Sequence, residues 1–367
     1  MPKIEAGPTD YSLLVAVILL LGLGIVMVFS ASAVMAMTNF NDPFYFLKRQ
    51  AVWALIGLLG MTVLMNFDYW HYKKLAPAII VLSITLLVAV LLPGIGRISH
   101  GARRWIGFGP LTLTPSEPAK MAMVIYLAYL LSSKGYKIKT FFRGVLPPVL
   151  LGLGMFALIL QQPDLGTGLT VMGSTFIMLF SAGAKIWHLL GLIGMGIPGV
   201  FAAIFMEEYR RERFLAFLDP WADPRGSGYH IIQSLYALGS GGPFGLGLGK
   251  SRQKFLYLPE MHTDFIFAII GEELGFVGAM LVIILFFFFA WRGYRIAMNA
   301  PDGFSCLLSC GLTSMILIQA LVNIGVVTGT LPITGIPLPF LSFGGSSLVF
   351  TLASVGILLN ISRYCTG

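Results

Sequence analysis

The chain has 367 residues, 57% of them hydrophobic and 11% charged, with a mean hydropathy of +0.85. Soluble domains carry about 25% charged residues, so a water-soluble globular fold is excluded. The formal net charge is +8, and where the cations fall along the chain matters more than their sum.

Apolar runs of about 20 residues, long enough to cross a bilayer as helices, recur from end to end. None shows the period-two alternation of a membrane barrel strand. The chain reads as an all-α polytopic membrane protein, a single integral membrane domain over 1–367. About ten transmembrane helices are predicted, at 11–34, 50–67, 75–93, 116–133, 144–161, 165–182, 186–206, 264–291, 303–329 and 345–363. An even number puts both termini on one side. The first span ends in Ala31-Ser32-Ala33, which looks like a signal-peptidase site, but its apolar stretch exceeds a signal h-region and its leader, MPKIEAGPTD, is hardly basic. It is expected as a retained helix.

Short loops place Lys3, Lys73, Lys74, Lys134, Lys137, Lys139, Arg143, Lys185, Arg292, Arg295 and Arg363 on the side of the termini, which makes that side cytoplasmic. The outer face nonetheless keeps Lys48, Arg49, Arg97, Arg103 and Arg104, with more basic residues in 207–263. Cations retained there against the usual bias point to anionic ligands such as phosphates at the headgroup level. The simpler reading is a long loop exempt from the charge rule and touching anionic lipid.

After the third span comes GARRWIGFG (101–109), then TLTPSEPAK, where Thr114 or Ser116 caps a helix with proline in its first turn. Lys120 then falls inside the fourth span. Either its stem snorkels to the interface, or it converges with Arg103 and Arg104 on a phosphate-bearing headgroup. The break QQPDLGT (161–167) is explained by a tight turn with Asp164 as N-cap of the next helix; a role facing a central cavity is the alternative.

Between spans seven and eight lies a large structured extracellular loop, 207–263, far above ordinary connector length. Its segments RFLAFLDPW, HIIQSLYAL and KFLYL are apolar enough to bury a small face or lie along the bilayer surface. The run GSGGPFGLGLGKS ends in Gly249-Lys250-Ser251, yet a phosphate-binding loop needs glycine five positions before Gly249, where Phe244 stands. No nucleotide site follows; these glycines let backbone approach backbone or substrate.

The eighth span opens with LPEMHTDF. Thr263 or Asp264 is placed to cap the helix, and the same position sets a carboxylate at the membrane mouth beside Glu260 and His262, as a general base acting at the interface requires. Glu272 lies about 12 Å deeper along the helix and Glu273 points elsewhere; at that depth both need partners, in a buried pair or a cavity lining. The last outer loop, GTLPITGIPLPFLSFGGSS, is uncharged and rich in turn formers, which predicts non-helical backbone dipping to membrane depth. Ser342, Gly344 and Gly345 leave room for a bulky lipid-linked substrate or for a closely packed helix. Cys306, Cys310 and Cys365 give the outer loops no disulfide framework.

Taken in order, GARRWIGFG…PSEPAK, QQPDLGTG, DPWADPRGSGYHIIQSLYALGSGGPFGLGLGKSRQKFLYLPEMHTDFIFAIIGEELGF and LPITGIPLPFLSFGGSS resemble the SEDS family (shape, elongation, division and sporulation) over nearly the whole chain. GSGYHIIQSLYALGSGG and SRQKFLYLPE look more like its FtsW/SpoVE branch than RodA. The resemblance implies a ten-helix peptidoglycan glycosyltransferase of the bacterial cytoplasmic membrane, polymerising lipid II on the outer face, with Asp264 as the essential aspartate of an HTDF-like motif. It also implies a class B penicillin-binding protein as partner, lipid II and undecaprenyl-linked glycan as ligands, and no nucleic acid.

On this reading Asp264 is the catalytic base, with Arg103, Arg104, Lys120, Glu260, His262, Ser342, Gly344 and Gly345 around the substrate. Asp164, Glu272 and Glu273 are structural or cavity-lining. A divalent cation, Mg or Mn, is a further expectation, with Asp264 as its ligand, although one histidine and two carboxylates make no diagnostic spacing. A lipid II flippase, or a scaffold for the penicillin-binding protein, are the competing functions.

Overall fold

The computed structural model describes residues 7–99, 102–108, 111–133, 137–255 and 257–365. Lys3, Lys134, Gly101 and Gly109, named above, lie outside them. Twelve α-helices are present among the described residues: α1 Tyr11–Phe40, α2 Tyr45–Met65, α3 Tyr69–Ala89, α4 Ser116–Ser133, α5 Leu146–Leu160, α6 Leu165–Ser181, α7 Ile186–Phe205, α8 Glu208–Leu218, α9 Tyr229–Ser240, α10 Ile266–Met298, α11 Gly303–Val327 and α12 Gly345–Ser362. Eight of them are long and apolar enough to cross a membrane: α1, α2, α3, α5 with the π-turn before it, α7, α10, α11 and α12. The other two expected spans are α4, which carries Glu117 and Lys120, and α6, of 17 residues.

Contacts between chain ends sort the loops onto two faces. Gly7 N donates to the Arg363 carbonyl, Arg292 is ion-paired with Asp10 at 2.6 Å, and Tyr69 donates to Asp302 at 2.9 Å. Both described chain ends and the short α2–α3 and α10–α11 connections therefore share one face. The opposite face holds everything irregular. The helical class holds, with one small addition there: Gly96–Ser99, Ala102–Phe108 and Leu111–Leu113 form a three-stranded antiparallel sheet, β1-β2-β3, pairing Arg97 with Trp105 and Ile106 with Leu113. No apolar–polar alternation runs through ARRWIGF, and β1 and β3 are four and three residues long, so pairing on both edges of β2 is what fixes them.

The long loop is built as α8, a short turn at Pro220–Ala222 and α9, followed by the glycine-rich run. That run docks into a break in α10. Gly275 has φ 67° and ψ −166°, which stops the helical ladder. The freed groups are taken up across the gap: Leu246 N and Gly247 N donate to the carbonyls of Glu272 and Glu273, while Phe276 N and Val277 N donate to those of Gly242 and Pro243. A Cβ at Gly241 would lie 1.9 Å from the Gly271 carbonyl oxygen, and one at Gly245 2.2 Å from that of Glu273. Backbone meets backbone here, as the glycine pattern predicts.

The last loop on this face, 328–344, folds back among the helices. Phe340, at φ 65°, is buried against Phe286 and Phe289 of α10, and Gly24 of α1 leaves no room for a side chain beside the Phe340 carbonyl. Non-helical backbone at this depth is tolerated because protein encloses it. α7 is the outlying helix: only Leu189 and Ile204 are buried, and it packs chiefly on α6 and α8.

Candidate functional site

Asp264 lies two residues before α10 and does not cap it; Phe265 holds the N-cap position, without a side-chain bond. The Asp264 carboxylate accepts no hydrogen bond among the described residues and lines a chamber of about 160 Å³ with Tyr209, Glu212, Arg213, Ser227, His230 and Glu260. Its surroundings push its pKa up to about 7: burial disfavours the charge, the Glu260 and Asp164 carboxylates repel it, and Arg213 and Arg104 oppose them. The residue is half-buried, so the chamber keeps it accessible.

What fixes the aspartate is its backbone. The carbonyls of His262, Thr263 and Asp264 accept in turn from Phe343 N at 2.9 Å, Ser342 Oγ at 2.5 Å and Asn323 Nδ2 at 2.7 Å. Across from the carboxylate runs Gly335, where a Cβ would stand 3.5 Å from Asp264 Oδ2 and 3.9 Å from Arg213 Nη1. Any side chain there would enter the gap between the carboxylate and the guanidinium.

A second, apolar chamber of about 330 Å³ adjoins the first, sharing Tyr209, Arg213 and Ile333 with it. It opens between α6, α7, α8 and α11, with Leu169, Phe201 and Val322 among its walls. Arg213 stands between the two, its guanidinium 4.2 Å from the Tyr209 ring centre. Burial pushes its pKa below the ordinary arginine value while Tyr209 and Asp264 hold it up, and a guanidinium stays charged regardless. His230 is held below its usual pKa by burial and then by Arg213, against Glu260.

The expected residues are distributed as follows. Glu260 joins Asp264 in the chamber and accepts from the Thr263 hydroxyl at 2.9 Å. His262 does not join them. Its ring sits against Phe46 at 4.5 Å and Phe343 at 5.6 Å, with Nδ1 enclosed and unpartnered, and burial pushes its pKa down. Arg103 and Arg104 do not converge, because neighbouring strand residues face opposite sides: Arg103 donates to the Leu91 carbonyl, and Arg104 clamps those of Gln162 and Pro163.

Lys120 neither snorkels nor reaches the arginines. It is 3% exposed, ion-paired with Glu117 at 3.0 Å and donating to Gln319 Oε1 at 2.6 Å. Ser342 is turned to the Thr263 carbonyl, and Gly345 is closed over by Trp53, 2.3 Å from where its Cβ would be; a Cβ at Gly344 would fit, in ordinary contact with Ser347 at 3.6 Å. Asp164 caps α6, accepting from Thr167 N at 3.0 Å.

Glu272 accepts from Arg252 N at 2.9 Å and from the Ser251 hydroxyl, and Glu273 from Ser30 Oγ at 2.6 Å with Lys254 3.5 Å away. The pair thus grips the end of the glycine-rich loop. For the expected cation, no group of three His, Cys, Asp or Glu is close enough to hold a metal among the described residues. The donor set does not fit a site made by protein alone.

Arg213, His230 and Asn323 were not legible as site residues. The first two sit in segments distinguished only by amphipathicity, and folding of the long loop brings them to Asp264. Asn323 did carry a signal, as a lone amide inside an apolar span.

Residues 11–367 match a family model described as FtsW/RodA/SpoVE, cell cycle protein. The chain is 50% identical to stage V sporulation protein E of Bacillus subtilis (strain 168), over 97% of each chain. It is 46% identical to a probable peptidoglycan glycosyltransferase FtsW of Geobacter sp. (strain M18), over 98% of each. It superposes with a TM-score of 0.81, at 32% identity and 98% coverage of both chains, on a solved structure described as a peptidoglycan synthase complex coordinating polymerization and crosslinking.

Proposed function

The chain belongs to the FtsW/RodA/SpoVE family of cell cycle proteins, and from that premise we propose that it polymerises lipid II into glycan strands on the outer face of the bacterial cytoplasmic membrane. The observation that carries the reading is the Asp264 carboxylate, half-buried and without a hydrogen bond among the described residues, in a polar chamber that adjoins an apolar one at Arg213. A lipid-linked sugar divides its surface in the same way.

Asp264 takes the proton of the GlcNAc 4-hydroxyl. That oxygen forms a bond to the MurNAc anomeric carbon of a second molecule, whose bond to the pyrophosphate oxygen breaks with inversion, and undecaprenyl pyrophosphate leaves with the electron pair. A base with pKa near 7 is matched to this work at neutral pH. Arg213, at the junction of the chambers, is the cation best placed to meet the departing phosphates, with Arg104 behind it. Lys120 is assigned to joining α4 and α11. A magnesium or manganese ion would have to draw most of its ligands from substrate phosphates and water; chelation and readdition during turnover tests for one.

Both termini are placed in the cytoplasm, on the strength of the basic residues at that face. The resemblance to a chain from a synthase complex supports a class B penicillin-binding protein as partner. The decisive experiment is polymerisation of lipid II by purified protein with that partner, comparing wild type with Asp264→Asn and Asp264→Ala. Glycan product is expected only from wild type. Wild-type output from Asp264→Asn removes the base assignment, and translocation of labelled lipid II without glycan in vesicles favours a flippase.

A further inference from the structure

No side chain among the described residues hydrogen-bonds the Asp264 carboxylate, so its aim depends on the chain that carries it. Asn323, 1% exposed on α11, donates from one amide nitrogen to the Asp264 carbonyl at 2.7 Å and to the Ile336 carbonyl at 2.8 Å. Ile336 follows Gly335, whose backbone faces Asp264 Oδ2 and Arg213. One side chain therefore fixes the aspartate and the loop opposite it.

We infer that Asn323 is a positioning residue for Asp264, setting the gap between the carboxylate, Arg213 and the Gly335 backbone in which the acceptor sugar is activated. This rests on the polymerase reading given above. A turn earlier on the same face, Gln319 holds the next carbonyl, Pro337, at 2.9 Å, while its oxygen is occupied by Lys120. The loop is thus hung from α11 at two successive peptides, and α4 orients the second hanger. An amide suits position 323 because it donates twice without a charge; serine donates once and leucine never. The arrangement tolerates an enclosed Asn323 Oδ1 with no partner. Leaving such an atom unsatisfied is destabilising, so the two donated bonds, and not the residue's own contentment, are what the site retains.

Removing the amide leaves the anchors at the His262 and Thr263 carbonyls in place, through Phe343 N and Ser342 Oγ. The segment stays docked, but its last peptide and the Gly335 backbone are free to shift. A displacement on the scale of 1 Å at the reacting groups costs up to about a hundredfold in rate.

The test uses the full chain with its partner, turning over lipid II in defined vesicles, with every rate normalised to the folded fraction measured by thermal unfolding. Asn323→Ala is expected to lower kcat on the order of tenfold or more, with KM within about twofold of wild type, and Asn323→Ser to restore part of the loss. If Asn323→Ala does not fold, the serine variant carries the same comparison. Wild-type kcat per folded molecule in these variants overturns the inference, as does a raised KM at unchanged kcat, which would make the amide a substrate contact. A wild-type chain that makes no glycan defeats the polymerase reading instead, so the two failures are distinguishable.

Discussion

At Asp264 the charges around one carboxyl make opposed predictions. If it is the base, kcat/KM rises with pH through an apparent pKa of about 7. Glu260 raises that pKa and Arg213 lowers it. Glu260→Gln should therefore move the rising limb toward acid and Arg213→Met toward alkali, read from the position of the limb and not its height. Stability follows the same group with the opposite benefit. The unfolded chain releases this proton near 3.8, as an ordinary aspartate does, and the native chain near 7, so burial of Asp264 weakens the fold increasingly between those values and by a constant amount above them. Asp264→Asn should raise the unfolding temperature at about pH 8 and leave it unchanged near pH 3. At Lys120 the enclosed ion pair predicts that Lys120→Met strands Glu117, costing about 3–5 kcal/mol, and that adding Glu117→Gln recovers much of it; equal melting of single and double variants would contradict this.

Among the elements, α10 has the most to lose from a small change. Gly275 combines φ 67° with a Cβ position 2.2 Å from Gly245 N, so Gly275→Ala should cost several kcal/mol, on the scale of the largest single-site effects. Limited proteolysis should then open the chain within 242–255. The sequence pattern carried the helices well, because apolar length is a local property: α4 begins at Ser116 and α7 at Ile186, where expected. The glycine run was also readable as close backbone approach, but not its target, since nothing at Gly275 distinguishes a break from a helix–helix contact. Asp264 itself was found for a position that served two readings, and the three-dimensional placement of Phe265 removes the capping one. Partners that arrive from distant segments, such as Trp53 over Gly345 and Gln319 on Lys120, have no counterpart in local pattern.

For the molecule as a whole, the polymerase reading divides binding and chemistry between the two chambers. Val200→Trp narrows the apolar one without touching Asp264. It should raise KM for lipid II severalfold while leaving kcat near wild type; a collapse of kcat alone would mean that the larger chamber does not receive the lipid. α7, which supplies Val200, Phe201 and Ile204 to that wall while burying so little of itself, makes this the side on which the bundle is most thinly closed.

The pairing of α2 with α12 bears on how such a chain is made. Leu352 packs at Gly57, Trp53 covers Gly345, Met61 meets Gly356, and Asn360 bonds to Met65 and Tyr69. A ribosome reaches α12 roughly 280 residues after finishing α2, a quarter of a minute to a minute at about 5–20 residues per second. Through that interval the second helix waits in the bilayer with this neighbour unwritten, so a segment synthesised late completes the packing of a helix inserted early.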